Sequence, residues 1–551
     1  MTIFDLWAKA APFQSVVTHG IVSGVVAQQV LSLFLPAGTR DQLCRGLNVT
    51  DAQLEQFVGY FTSLHDIGKI NYYFQAMQED RKPEMEAAGL AEMDLPDLHF
   101  RHERESFLAL KKIWDPIDHR NGVKLAEILG AHHQGKRISL TQPPASPPWE
   151  ALQQAFEGEM RQRFWHSAYT FPKLEKSSEG AVSAILLGIV ILSDWIASSD
   201  CFDTAEAQAD LREYARLQAA QFLQWSGLHA TVMDFGTGFY EVWPNIPTGG
   251  ARELQKNMET LFQRNPSARF QLILAEAPMG EGKTEAGVYA ALQMARQWKK
   301  RGFYIALPTS ATANQMVERM RKLLKQHGME AQVKLLHAMA WMVDEKISTV
   351  QSFVTEDEQF ARNWLMPLRR GFLSPYAVGT VDQAMMAAMF IRYGVLRLLG
   401  LSAKTLVIDE VHAYDTYMQN ILRDCCPGAV RWKFRWFSFP PRCLRRKSSG
   451  YCAFIPRMPF PMHIPQLPLS RTPESCKSFP LPMWQCTRNM PWNYFPSYIS
   501  QMQSPRQPRK KLPMAAVCAC CSTPFPRRKI PFPPYAKAGF PGRCCCFMPG
   551  S

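Results

Sequence analysis

Seven side chains spread over the first two hundred residues could hold metal: His19 in THG, His65 and Asp66 in LHDIGK, His102 in RHE, His132 and His133 in AHHQGK, and Asp194 in LSDWIAS. Neutral imidazoles together with carboxylates form the ligand set of divalent transition metals. A lone histidine on an apolar helical face is usually a packed core or surface residue, but an adjacent pair such as His65-Asp66 can face one centre from a helix end, and the set is large enough for two ions. An aspartate can bridge two such ions, and a pair about 3.5–4 Å apart can activate water and stabilise the leaving oxygen in phosphodiester cleavage. Lys69 follows Asp66 by three residues and His65 by four, so on a helix it shares their face; it reads either as a cation beside the scissile phosphate or as an ordinary ion-pair partner. His99 is left over and reads as a packing or surface residue.

A second chemistry is written in RFQLILAEAPMGEGKTEAGVYAALQMARQW. An apolar strand (Phe270 to Leu274), a loop and then a helix form the context a phosphate-binding loop requires. Gly280 and Gly282 let backbone N–H groups approach phosphate oxygens, Lys283 supplies charge for the outer phosphates, and the Thr284 hydroxyl can ligate magnesium. Farther on, TLVIDEVHAYD has an apolar strand, Thr405 to Ile408, that delivers Asp409 and Glu410 to its carboxyl end, where a doubly wound sheet places its ligands. Asp409 would hold the magnesium ion and Glu410 would orient the attacking water. Gln255, in ARELQKN, reads either as an adenine reader or as a solvated helical side chain.

The elements that position these groups divide the chain. Residues 1–240 carry apolar residues at helical spacing, as in SVVTHGIVSGVVAQQVLSLFL, with no alternating strand, and predict an all-α domain. The run AVSAILLGIVIL falls short of the ~20 residues a bilayer span needs and ends on Ser193 and Asp194, so it predicts a buried helix carrying a functional carboxylate. MTIFDLWAKAAPF is too short and too polar for a signal peptide. The proline and glycine cluster Pro244, Pro247, Gly249 and Gly250 reads as a linker. Residues 241–422 then alternate strands with helices and predict an α/β phosphate-loop domain built on a doubly wound parallel sheet.

The order His, His-Asp, His, His-His, Asp resembles the HD phosphohydrolase superfamily, and RHE, AHHQGK and SDWIAS resemble the nuclease domain of the CRISPR-associated nuclease-helicases. That resemblance implies one ion held by His19, His65, Asp66 and Asp194 and a second by Asp66, His102, His132 and His133, with Mn, Fe, Co or Ni as the metal. Asp409 to His412, DEVH, resembles the DEAD/DEAH-box signature, in which His412 would couple hydrolysis to movement. Ala277 in place of the usual first glycine is the form found in superfamily-two helicases and translocases. Ile305 to Met316 and Val378 to Met386 look like the strand-end motifs that touch single-stranded DNA in the same CRISPR family. The implied activity is degradation of invading DNA by a metal-dependent single-stranded DNA endonuclease with an ATP- and magnesium-dependent helicase, recruited by an RNA-guided surveillance complex. The alternatives are an HD-type nucleotide phosphohydrolase and an inactive remnant of a disrupted gene.

The net charge of +14 would suggest an anionic partner, but it is not evenly spread. Residues 423–551 hold 21 Lys and Arg against two acids, Asp424 and Glu474, while the remainder has 41 against 46. The same segment takes 23 of 40 prolines and 12 of 14 cysteines. Only Cys44 and Cys201 lie upstream, which fits a reducing cytoplasm and a soluble protein. In the CRISPR family a Ser-Ala-Thr-Leu-Pro motif is expected after DEVH, and none follows Asp409. One permitted codon string for Trp432 to Leu444, read two bases on, translates as Glu-Val-Pro-Val-Val-Leu-Phe-Ser-Ala-Thr-Leu-Pro, a buried strand ending in that motif. Residues 423–551 are therefore read as an out-of-frame, disordered tail, with the second motor lobe missing and the motor defective. Its cysteines and arginines read as a zinc or DNA module only as a distant second choice, because His463 is its sole histidine and its proline density defeats a regular core.

Overall fold

The computed structural model describes residues 1–93, 100–133, 145–165, 170–229, 234–270, 272–278, 280–328, 333–337, 368–388 and 394–410. His99, His412 and the whole of 423–551 lie outside them. The chain opens with an antiparallel ribbon, β1 (Trp7–Lys9) and β2 (Gln14–Ser15). The all-α domain thus carries a short ribbon that the sequence did not reveal, since strands of three and two residues are too short to display alternation. Helices follow in order as α1 (Val16–Gln29), α2 (Ala37–Leu47), α3 (Asp51–Ser63), α4 (Tyr72–Gln75), α5 (Lys82–Ala87), α6 (His102–Trp114), α7 (His119–Leu129), α8 (Pro147–Phe164), α9 (Glu179–Ala197) and α10 (Leu211–Trp225).

Local chemistry sets the ends of these helices. The Ser15 side chain accepts from Thr18 N and starts α1, and Thr50 with Gln53 closes a reciprocal capping box at the start of α3. Helix α1 is buried from Val16 to Ala27 and packs against α3, α9 and α10, so it is the axis of the helical domain. The span Val16–Phe34 and α9 are long and apolar enough to cross a membrane, but 78% of each apolar window is buried inside the protein. They are core helices.

The second region begins with α11 (Phe239–Val242), α12 (Glu253–Arg264) and α13 (Lys283–Gln297), followed by β3 (Phe303–Leu307), α14 (Ser310–Gln326), β4 (Lys334–Leu336), α15 (Leu368–Gly371), β5 (Tyr376–Thr380), α16 (Val381–Met385), α17 (Gly394–Ser402) and β6 (Thr405–Ile408). The four strands β3–β6 are all parallel, in the order β4-β5-β3-β6. Phe303, Ile305 and Leu307 face a core made with α13 and α14, whereas Tyr304 and Ala306 face one made with α16. Both faces are covered, which is why the strands read as unbroken apolar runs. The expected strand from Phe270 to Leu274 is reduced to a lone bridge at Leu272 among the described residues. Its burial still alternates, with Ile273 in one core and Leu272 against the other.

The helical domain does not end where its own helices end. Leu373, Val395, Leu396 and Leu399 belong to its core, although they come from the second region, and α17 packs along α9. The approach is close at Gly188, where an added Cβ would lie 3.0 Å from Leu399 Cβ. Polar contacts fasten the same seam: Thr39 Oγ1 donates to Ser402 O at 3.0 Å, Lys300 Nζ donates to Thr39 Oγ1 and Ser402 O at 2.7 Å each, and Arg301 donates to Leu228 O. Phe235, which precedes α11, conversely packs into the second region's core.

Candidate metal centre and phosphate-binding loop

Five separate elements bring the candidate metal ligands together. His19 lies inside α1, His65 and Asp66 occupy the turn that ends α3, His102 opens α6, His132 and His133 follow α7, and Asp194 sits near the end of α9. They form two trios, His19 with His65 and Asp194, and His102 with His132 and His133, each with ligand atoms within 4.8 Å of one another. Asp66 lies between them. Its Oδ2 is 3.5 Å from His19 Nε2 and 3.3 Å from His65 Nε2, while its Oδ1 is 3.3 Å from His102 Nε2 and 3.7 Å from His132 Nε2. Each oxygen thus faces a different trio.

These separations are long for hydrogen bonds and lie at or just beyond the edges of a coordination polyhedron, since two ligands about 2.1 Å from one ion stand roughly 3.0–3.4 Å apart. The imidazoles are also held in the right form. His65 Nδ1 donates to Thr62 O at 2.9 Å and His132 Nδ1 to Leu129 O at 2.7 Å, because a carbonyl can only accept. That fixes the tautomer and turns each Nε2 lone pair inward. The Nε2 atoms of His19, His65 and His132 are buried and have no hydrogen-bond partner among the described residues. Three buried, unpartnered nitrogens aimed at two carboxylates fit divalent ions.

The electrostatics agree with the geometry. Burial opposes ionisation of Asp66, but His65 and Lys69 outweigh it and hold the carboxyl well below its usual range; His19 and His65 do the same for Asp194. Burial pulls His19, His132 and His133 down, leaving them neutral as a ligand must be. His65 differs: burial alone would lower it, yet Asp66 and Asp194 raise it to about 10, so its Nε2 takes up a proton that a bound ion would have to displace before the lone pair could ligate. Lys69 lies in a 3-10 turn, Ile67–Lys69, rather than on an α-helix as its spacing suggested. Its Nζ reaches Asp66 Oδ2 at 2.7 Å and Ala8 O at 3.1 Å.

Two neighbours of this centre carry no sequence signal. Lys9 donates to Ala197 O at 3.1 Å and lies close enough to Asp194 and Lys69 for their charges to act on it. Phe74 stands edge-on to His102 at 5.6 Å. Lys9 comes from the two-stranded ribbon and Phe74 from a four-residue helix, both too short to be read as elements in advance.

At the carboxyl edge of the sheet, Gly280 and Gly282 adopt φ of +87° and +67°, the left-handed region open to glycine. Lys283 Nζ donates to Ala277 O and Pro278 O at 3.2 and 3.3 Å, within the loop itself. Thr284 Oγ1 lies 3.4 Å from Asp409 Oδ2, so the two magnesium candidates adjoin. Lys283, Thr284, Ile305, Val407 and Asp409 line one cavity with Leu274. Gln255 is buried rather than solvated; it accepts from Arg252 N and donates to Gly282 O at 3.3 Å, which puts it against the loop. Glu410 has φ of +52°, a costly conformation for a non-glycine residue and one that clusters at functional sites. The ends of β3 and β5, with the motifs that follow them, share this edge.

A helical HD domain followed by a parallel-sheet helicase lobe is the class this architecture defines. Residues 7–202 match the family described as Cas3, HD domain, and residues 259–427 match DEAD/DEAH box helicase. A CRISPR-associated endonuclease/helicase Cas3 of Thermus thermophilus is 29% identical over 451 residues, covering 78% of this chain and 48% of that protein. The Cas3 of Escherichia coli K12 is 26% identical over 427 residues, covering 70% and 47%. The crystal structure of T. fusca Cas3 superposes with a TM-score of 0.68 at 26% identity, covering 79% of this chain and 49% of that one. Over both regions the chain is similar to the CRISPR-associated nuclease-helicases, and it spans about half the length of these curated relatives.

Proposed function

We propose that this chain cuts single-stranded DNA in CRISPR interference, in the cytoplasm, at a two-ion centre, and that its helicase lobe binds ATP and magnesium. The observation that carries the reading is Asp66, whose two oxygens face opposite trios of ligands. His19, His65, Asp66 and Asp194 would hold one ion, and Asp66, His102, His132 and His133 the other. Two divalent ions bound there supply an activated water and charge to stabilise the leaving oxygen. The chain's own part is to fix the imidazole tautomers through Thr62 O and Leu129 O, to keep Asp66 and Asp194 ionised, and to hold Lys69 beside Asp66, from where its ammonium can turn to a phosphate. In the second region Lys283, Thr284 and Asp409 would take the phosphates and magnesium, Glu410 would orient water and Gln255 would read the base. A solved chain from a CRISPR RNA-guided surveillance complex in a pre-nicking state has the same fold, with a TM-score of 0.57, and a complex of that kind is the partner we infer.

Residues 423–551 remain, in this proposal, an out-of-frame translation, so the lobe should bind nucleotide without DNA-stimulated turnover. The nucleotide sequence across codon 423 decides that point. The nuclease reading is tested on the full chain with circular single-stranded DNA and Mn²⁺, with deoxynucleoside triphosphates as a parallel substrate. Cleavage of the circle that Asp66→Ala abolishes is expected; hydrolysis of the nucleotides alone would identify a phosphohydrolase instead, and cleavage undiminished in Asp66→Ala would remove the bridge.

A further inference from the structure

Ser106 lies on α6 one turn beyond His102, and it is completely buried. Its Oγ donates to His65 O at 2.7 Å and accepts from Gly68 N at 3.0 Å. One hydroxyl therefore ties down the backbone on both sides of Asp66. The same turn is pressed onto α6: a Cβ at Gly68 would lie 2.0 Å from His102 O and 2.5 Å from Ser106 N, so only glycine fits there. Helix α6 thus carries a ligand of one trio and, through Ser106, grips the turn that carries His65 of the other trio and Asp66 between the two.

We propose that Ser106 is a positioning residue that sets the spacing of the two metal sites by locking the Asp66 turn to α6. The proposal rests on the two-ion reading above. Asp66 can serve both trios only while Oδ1 stays near His102 and Oδ2 stays near His19 and His65, at separations of 3.3–3.5 Å. A small rotation of the turn would bring one oxygen in and carry the other out. Without the hydroxyl, His65 O and Gly68 N lose a shared partner in a water-poor interior, where an unsatisfied backbone group is costly and drives rearrangement. His102, His132 and His133 come from α6 and the end of α7 and do not depend on that bond, so the fault should fall on the bridge and on the trio containing His65.

The test uses the full chain titrated with Mn²⁺, read by calorimetry and by electron paramagnetic resonance, which reports whether two Mn²⁺ ions share a bridging ligand. Wild-type protein should take up two ions and give an exchange-coupled signal. Ser106→Ala should keep one ion near wild-type affinity, bind the second at least tenfold more weakly and lose the coupling. If Ser106→Ala does not fold, Ser106→Cys keeps the volume, weakens both hydrogen bonds and should show the same split. Two coupled ions at wild-type affinity in the variant overturn the proposal, and so does an equal weakening of both ions, which marks a general loss of stability. Fewer than two ions in the wild-type chain overturns the two-ion reading itself.

Discussion

Replacing Leu399 by alanine should damage the helical domain, although Leu399 lies in the helicase lobe. The side chain is fully buried in the core that α17 shares with α9, and the facing position is Gly188, whose missing side chain cannot swing in to refill the space. Removing three buried carbons costs their transfer free energy plus a cavity term, about 2–5 kcal/mol for Leu→Ala in a core. The helix backbones here already approach closely, so little collapse is available, and a loss of roughly 3 kcal/mol is expected. For a cooperative unit of some 150–250 residues each kcal/mol lowers Tm by about 2–4 °C, which predicts a fall of roughly 6–12 °C in the transition that reports the helical domain. Calorimetry and near-ultraviolet circular dichroism on the full chain would measure it. A loss below about 1 kcal/mol, or one confined to a transition that nucleotide stabilises and Mn²⁺ does not, would refute the shared core. A chain cut after residue 240 leaves the α9 face around Gly188 bare, and should be less stable and more prone to aggregate than one that includes α17.

Two further outcomes follow from single lysines. Burial lowers Lys404 to about 7, with its Nζ donating to Phe372 O and Gly400 O beside α17. Its folded pKa is below the unfolded value of 10.5, so the unfolded chain binds the extra proton between pH 7 and 10.5 and stability rises with pH across that window. Wild type should gain roughly 2 kcal/mol relative to Lys404→Met between pH 7 and 9 in urea melts, and parallel pH profiles would contradict the assignment. Lys283→Ala should weaken binding of a fluorescent ATP analogue with magnesium at least tenfold while leaving Mn²⁺ uptake unchanged, because the phosphate loop and the HD centre share no ligand.

What the sequence made legible was chemistry carried by adjacent residues. His65-Asp66, His132-His133, the Gly280 to Thr284 loop and Asp409-Glu410 each bring their partners within a few positions; the structure sets the histidines in two trios with Asp66 between them, and lines one cavity with Lys283, Thr284 and Asp409. The α/β alternation of the second region could be read because both faces of the sheet are buried and its strands are continuous apolar runs. Other features were closed to that reading for physical reasons. Apolar spacing marks α17 as a helix with a buried face, but says nothing of which neighbour covers it, so the seam with α9 could not be foreseen. Lys69 was expected on a helical face, whereas Gly68 lets the chain press against α6 and the segment tightens into a 3-10 turn. Gln255 left two readings open, an adenine reader or a solvated side chain, and the sequence could not choose between them because the contact with Gly282 that buries it joins residues 27 positions apart. The opposed directions of the two Asp66 oxygens are likewise a property of four packed elements together.

Whether Asp66 would bridge two ions is read from the number of Mn²⁺ ions bound per chain at equilibrium, compared with Asp66→Asn. The amide keeps the shape of the carboxylate, but its nitrogen cannot ligate, so one of the two facing trios loses its shared oxygen. Two ions in the wild type and one, or two bound far more weakly, in Asp66→Asn is the predicted result. A wild-type chain that saturates with a single ion, or an Asp66→Asn chain that takes up two with unchanged affinity, would contradict it.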